Sequence, residues 1–146
     1  MTTFPGPQAV QPAPPAAEGA PSKQLEISNA VVRIYKRYQG KGPRSARTQL
    51  SDDLCVVVLT GCLTRAERSL LEAGNHDLLL RQRAAMQRLM AEEMVASVQS
   101  ILGRQVISFM STNDPEKELG VELFVLESDK HFPAHQQTAA DGHRAA

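Results

Sequence analysis

Gly40-Lys41-Gly42-Pro43 and Gly61-Cys62-Leu63-Thr64-Arg65-Ala66-Glu67 flank the apolar stretch Leu54 to Thr60, and the reading of these pieces decides the fold. The first block stops a helix. Gly40 is a C-terminal stop, and Gly42-Pro43 forbids the helix from resuming. Upstream of it, Ile27, Ala30, Val31, Ile34, Tyr35 and Tyr38 recur at helical spacing, with Ser22 as N-cap. Lys23, Glu26, Arg33, Lys36 and Arg37 fill the opposite side. The second block starts a helix: Thr64 is an N-cap and Glu67, three residues on, completes a capping box.

Between the blocks, Arg44 to Leu50 alternates weakly and Leu54 to Cys62 reads as a buried strand, with the turn Ser51-Asp52-Asp53 joining them into a hairpin. Beyond Glu67 a short helix runs to about Ala73 and breaks at Gly74-Asn75. A longer helix follows from about Asp77 to Leu102, stopped by Gly103. Strands over 105–111 and 119–127, joined by the turn Asn113-Asp114-Pro115-Glu116, complete the order α-β-β-α-α-β-β. This pattern predicts an α+β fold: two antiparallel hairpins form one four-stranded sheet covered by helices.

The chain has 146 residues, room for one domain. Residues 1–22 are rich in Pro and Ala and carry almost no large apolar side chain, so a disordered arm is expected there. The stretch 128–146 is expected to be a second disordered segment, leaving 23–127 as the folded domain. His131 and His135 in that segment have helical spacing, but Pro133 intervenes and no carboxylate or Cys completes a metal set.

Sixteen basic and sixteen acidic residues balance, so no net field draws in nucleic acid or an anionic membrane. The few aromatic residues (two Tyr, four Phe, no Trp) make a base-stacking platform unattractive. No apolar run approaches the roughly 20 residues of a membrane helix, and the N-terminus lacks the pattern of a secretion signal. A cytoplasmic protein without membrane insertion is expected. Cys55 and Cys62, seven apart around one extended segment, should sit on opposite faces about 20 Å apart, too far for a disulfide.

The chemistry-bearing residues are sparse. Lys41, Arg44 and Arg47 cluster after the first helix and could hold an anion, although no phosphate-loop or dinucleotide fingerprint is present. Arg81 and Arg88 share one face of the long helix and could dock an acidic partner, or could be a solvated face balanced by Glu92 and Glu93, with Arg83 between them. Glu67, Asp52, Asp53 and Asp114 are available acids without a partner set, so no catalytic residue and no cofactor is assigned and the protein is not expected to be an enzyme. Met86, Met90 and Met94 on the long helix serve either as core or as a homodimer face.

The succession of helix, GKGP turn, strand, GxLTxxE block, long helix, Gly stop and two strands resembles the MpsC-like family, a domain of unknown function. The family is labelled after the C component of a proposed Na+-translocating membrane potential-generating system. The resemblance covers about 24–127 and rests on Gly40, Lys41, Gly42, Pro43, Gly61, Leu63, Thr64 and Glu67, with Gly103 and Arg81 or Arg83 also fitting. It implies an Asp after the third strand, where this chain has Ser111-Thr112-Asn113 before Asp114. What it implies for function is a cytoplasmic accessory to membrane subunits, peripheral to the inner face of the membrane. The alternative is a small regulatory module binding an anionic or phosphate-bearing ligand.

Overall fold

The computed structural model describes residues 21–128; the expected arm and tail, apart from their innermost residues, and the tail histidines lie outside them. The elements run α1 (Lys23–Gln39), β1 (Ser45–Leu50), β2 (Leu54–Thr60), α2 (Arg65–Glu72), α3 (His76–Leu102), β3 (Val106–Asp114) and β4 (Leu119–Leu126), in the expected order. The four strands form one antiparallel sheet in the order β1-β2-β4-β3, so the two hairpins meet through β2 and β4.

Local chemistry sets the boundaries. Ser22 Oγ accepts from Leu25 N at 3.2 Å at the start of α1, and Gly40 closes the helix at φ 76°, its N–H donating to Lys36 O. The α1 stripe Ile27, Val31, Ile34 and Tyr35 is buried against the sheet together with Met90, Met94 and Val98 of α3. The sheet contributes Cys55, Val57 and Leu59 of β2 and Phe124 and Leu126 of β4. All of these strand positions share one parity, because alternate side chains point to opposite faces. A hydroxyl pair, Ser28 and Thr48 at 2.8 Å, ties α1 to β1 across the buried layer.

Three boundary expectations are corrected. β3 continues to Asp114 instead of ending near Ser111, because Asn113 and Asp114 pair with Gly120 and Leu119 across the hairpin. The turn shifts to Pro115–Glu118, and Glu118 takes a positive φ of 52°. β2 ends at Thr60, since Gly61 adopts φ 62° and turns the chain. That turn also overrides the expected opposition of the two cysteines: Cys55 and Cys62 both enter the same core. Both thiols are free. The methionine stripe is settled too: Met90 and Met94 are buried and Met86 packs against the core.

The helices occupy only one side of the sheet. Register places four rows on the other: Leu54–Val125–Ser108, Gln49–Val56–Leu123–Met110, Arg47–Val58–Val121–Thr112 and Ser45–Thr60–Leu119–Asp114. Among the described residues no helix packs on this face.

Candidate functional site

The two sequence blocks converge at one end of the sheet. Lys41 Nζ reaches the carbonyl of Leu63 at 3.1 Å, joining the GKGP turn to the entry of α2. At that entry Thr64 Oγ1 accepts from Glu67 N and Glu67 Oε2 accepts from Thr64 N, so the capping box is complete. Gly61 is tightly enclosed: a Cβ there would lie 2.7 Å from Arg44 Cβ. The Gly61 N–H donates to Glu118 O at 3.0 Å, bringing the turn before β4 onto the same spot.

Beneath this joint lies Arg83, which sequence reading places on an exposed face. The structure corrects that: Arg83 is 2% exposed. Its Nη2 donates to Glu67 Oε2 at 2.8 Å and to Cys62 O at 2.7 Å, and its Nη1 donates to Asn113 Oδ1 at 3.0 Å. One planar guanidinium thus binds α2, the Gly61 turn and β3 to α3, a fork geometry that a lysine could not reproduce. Glu67 has two tasks, capping its own helix and neutralising Arg83. Asn113 occupies the segment where the resemblance implies an Asp, and it accepts as a neutral amide, leaving Glu67 as the carboxylate on this guanidinium.

Two further polar groups lie in the core. Tyr35 Oη donates to Glu122 Oε1 at 2.5 Å, and Glu122 is 1% exposed. Burial pushes the Glu122 carboxyl above its ordinary value, opposed by the Tyr35 hydrogen bond and by the charge of Arg83. Burial and the neighbouring Glu122 push the Tyr35 phenol up. Burial also pushes the Cys55 thiol up to about 11, and that of Cys62 upward with Arg83 opposing. A raised thiol is a poor nucleophile, so neither cysteine has the environment of a reactive one.

The expected contact residues are scattered. Lys41 is committed to Leu63 O, Arg44 packs over Gly61, and Arg47 lies on the sheet face opposite the helices. Lys41 and Arg44 thus meet at the Gly61–Leu63 turn, while Arg47 is set apart on the other face of the sheet. Arg81 and Arg88 are exposed on α3 and have no ion pair among the described residues. Glu93 pairs with Arg37 of α1. Arg88 edges a cleft of about 320 Å³ between α3 and β3, lined also by Gln87, Phe109 and Ser111. Among the described residues no group of three or more metal-binding side chains is found.

These features define a class: a small α+β domain whose inter-element joints are locked by a buried Arg–Glu pair, with exposed cations left on its helices. The chain belongs to the MpsC family, described as "Na+-translocating membrane potential-generating system (MpsC)", whose model matches residues 21–128. Comparison with curated proteins and with solved structures returned no match. Of the residues that carried the resemblance in sequence, Lys41, Gly61, Leu63, Thr64 and Glu67 meet at this joint, whereas Gly40 and Gly103 close α1 and α3.

Proposed function

We propose that the chain is a non-enzymatic accessory component of a membrane potential-generating system, acting through protein contacts on the cytoplasmic side of the membrane. The observation that supports this reading most directly is the pair Arg81 and Arg88. Arg37, Arg68 and Arg83 are each matched by an acid, at Glu93, Glu118 and Glu67. Arg81 and Arg88, like Arg33 and Arg65 on the other helices, are exposed without an ion pair among the described residues, and they alone lie two turns apart on one face of the long helix. Unpaired guanidiniums sharing one rigid helix face suit bidentate recognition of carboxylates on a partner. No helix of the described residues is long and apolar enough to cross a membrane, so in this reading the ion path belongs to partner subunits.

The test is capture from detergent-solubilised native membranes with the wild-type chain and with Arg81→Glu/Arg88→Glu. Wild type should retain integral-membrane transport subunits and the variant should lose them while keeping its circular dichroism spectrum. Equal capture by a folded double variant sinks the reading. The anionic-ligand alternative keeps Lys41 and Arg44 at the Gly61–Leu63 turn but loses Arg47 to the other face of the sheet. A thermal-shift screen against phosphate-bearing metabolites decides it, since a ligand at a hundredfold excess over its Kd adds about 2.7 kcal/mol.

A further inference from the structure

The open face of the sheet is apolar where a solvated face should be polar. Antiparallel sheets covered on one side ordinarily alternate apolar-in and polar-out. Here Leu54, Val56 and Val58 of β2 and Val121 and Leu123 of β4, all half-buried, form a contiguous apolar centre on the side away from the helices. Val125 beside them is already buried, and Met110 of β3, 50% exposed, extends the patch. The polar residues lie at the rims: Ser45, Arg47 and Gln49 along β1, and Ser108, Thr112 and Asp114 along β3. An apolar centre bounded by a polar rim is the anatomy of an interface.

We infer that this face packs against the same face of a second copy, forming a two-fold dimer with its axis parallel to the strands between β2 and β4. Two arguments choose a second copy as occupant. The first is area. Four strands at about 4.8 Å spacing and seven residues at about 3.3 Å give a face of roughly 19 by 23 Å. Side-chain relief enlarges it, so two such faces bury on the order of 1,000 Å², the scale at which a specific interface becomes stable.

The second argument is charge. Rotation about an axis along the strands stacks β1 of one copy over β3 of the other and keeps each row at its own height. Arg47 then faces its partner's Thr112, with the partner's Asp114 one row away, within reach of a guanidinium across sheets about 10 Å apart. The contact occurs twice by symmetry. Val56 meets the partner's Leu123, and Val58 meets the partner's Val121. An axis running across the strands would instead stack β1 on β1 and crowd the two Arg47 side chains on neighbouring rows.

The experiment is light scattering on the full chain over a concentration series, with variants on both parts of the interface. Wild type should be a dimer. Leu123→Asp should raise the dissociation constant at least about a hundredfold, because a charge would be buried without a partner. Arg47→Asp should weaken the dimer about tenfold, and Arg47→Asp combined with Asp114→Arg should recover it. The rescue is specific to this axis, since Arg47 and Asp114 lie on opposite edges within one copy. If Leu123→Asp fails to fold, the exposed charge swap alone decides. A monomeric wild type overturns the inference. A dimer indifferent to both Leu123→Asp and the swap overturns it equally, by placing the interface elsewhere.

Discussion

Replacing Arg83 by Met tests whether the buried guanidinium holds the fold together. Met keeps the aliphatic stem and removes three donated hydrogen bonds, to Glu67 Oε2, Cys62 O and Asn113 Oδ1. Both Arg83 and Glu67 have side chains only 2% exposed, so water cannot replace the lost partner without opening the joint. Glu67 would keep the N–H of Thr64 but lose its counter-charge. Removing one member of a buried pair costs about 3–5 kcal/mol, mostly because the other charge is stranded. At about 4–8 °C per kcal/mol for a domain near 100 residues, Tm should fall by at least roughly 12 °C. Urea denaturation with an unchanged m-value is the assay. Glu67→Gln in the Arg83→Met background should recover part of the loss, since a neutral amide can still accept from Thr64 N, and this non-additivity separates stranded charge from lost packing. Arg83→Lys keeps a charge near Glu67 without the fork and should fall between. A loss below about 1 kcal/mol for Arg83→Met would refute the reasoning.

Three other perturbations follow from the same geometry. Gly61→Ala places a Cβ 2.7 Å from Arg44 Cβ at a φ of 62° and should cost about 1–3 kcal/mol by urea denaturation; Gly40→Ala, also at positive φ but with nothing within 4 Å, should cost less. Glu122 has a folded pKa above its unfolded one, so the folded state holds the proton more strongly and stability is fully present below about pH 4.5 and declines as pH rises through the folded value; Glu122→Gln should flatten that decline in denaturation curves from pH 4.5 upward. Cys55 and Cys62 should show no fast reaction with a thiol reagent in the native protein at pH 8 and two equivalents after denaturation, and a fast native thiol would contradict their burial.

Much of the fold was legible because its boundaries are written in local chemistry. Ser22, Gly40, Thr64 with Glu67 and Gly103 each mark a helix end through a backbone group that only such residues satisfy well. The errors have a different origin. Asn113 and Asp114 have turn propensity, yet the ladder with Gly120 and Leu119 draws them into β3. Cys62 looked like the next residue of a strand, and the positive φ of Gly61 redirects it into the core. Arg83 is the instructive miss. It lies four residues after Leu79 and seven before Met90, within the very stripe that is buried on α3, so its position was readable from helical phase. Its charge argues for exposure, and it is buried only because Glu67 supplies the counter-charge. That acid is hidden in the sequence because Glu67 also reads as the N3 residue of a capping box.

That double use of Glu67 explains why a short block can mark a family without marking a chemistry. Gly61 permits a close approach of Arg44, Leu63 lends its carbonyl to Lys41, and Thr64 caps α2. Glu67 then fixes Arg83, which reaches Cys62 and Asn113. Each residue has a structural duty at a joint where four separate segments of chain meet. Substituting one strands a polar group of another, so the set must change together or not at all. The surfaces left for recognition lie elsewhere, on the exposed α3 arginines and on the open sheet, where side chains are under no such mutual constraint. In the proposed reading, partner choice would rest on Arg81, Arg88 and the Val56–Leu123 row, with the motif blocks holding the joint beside them rigid.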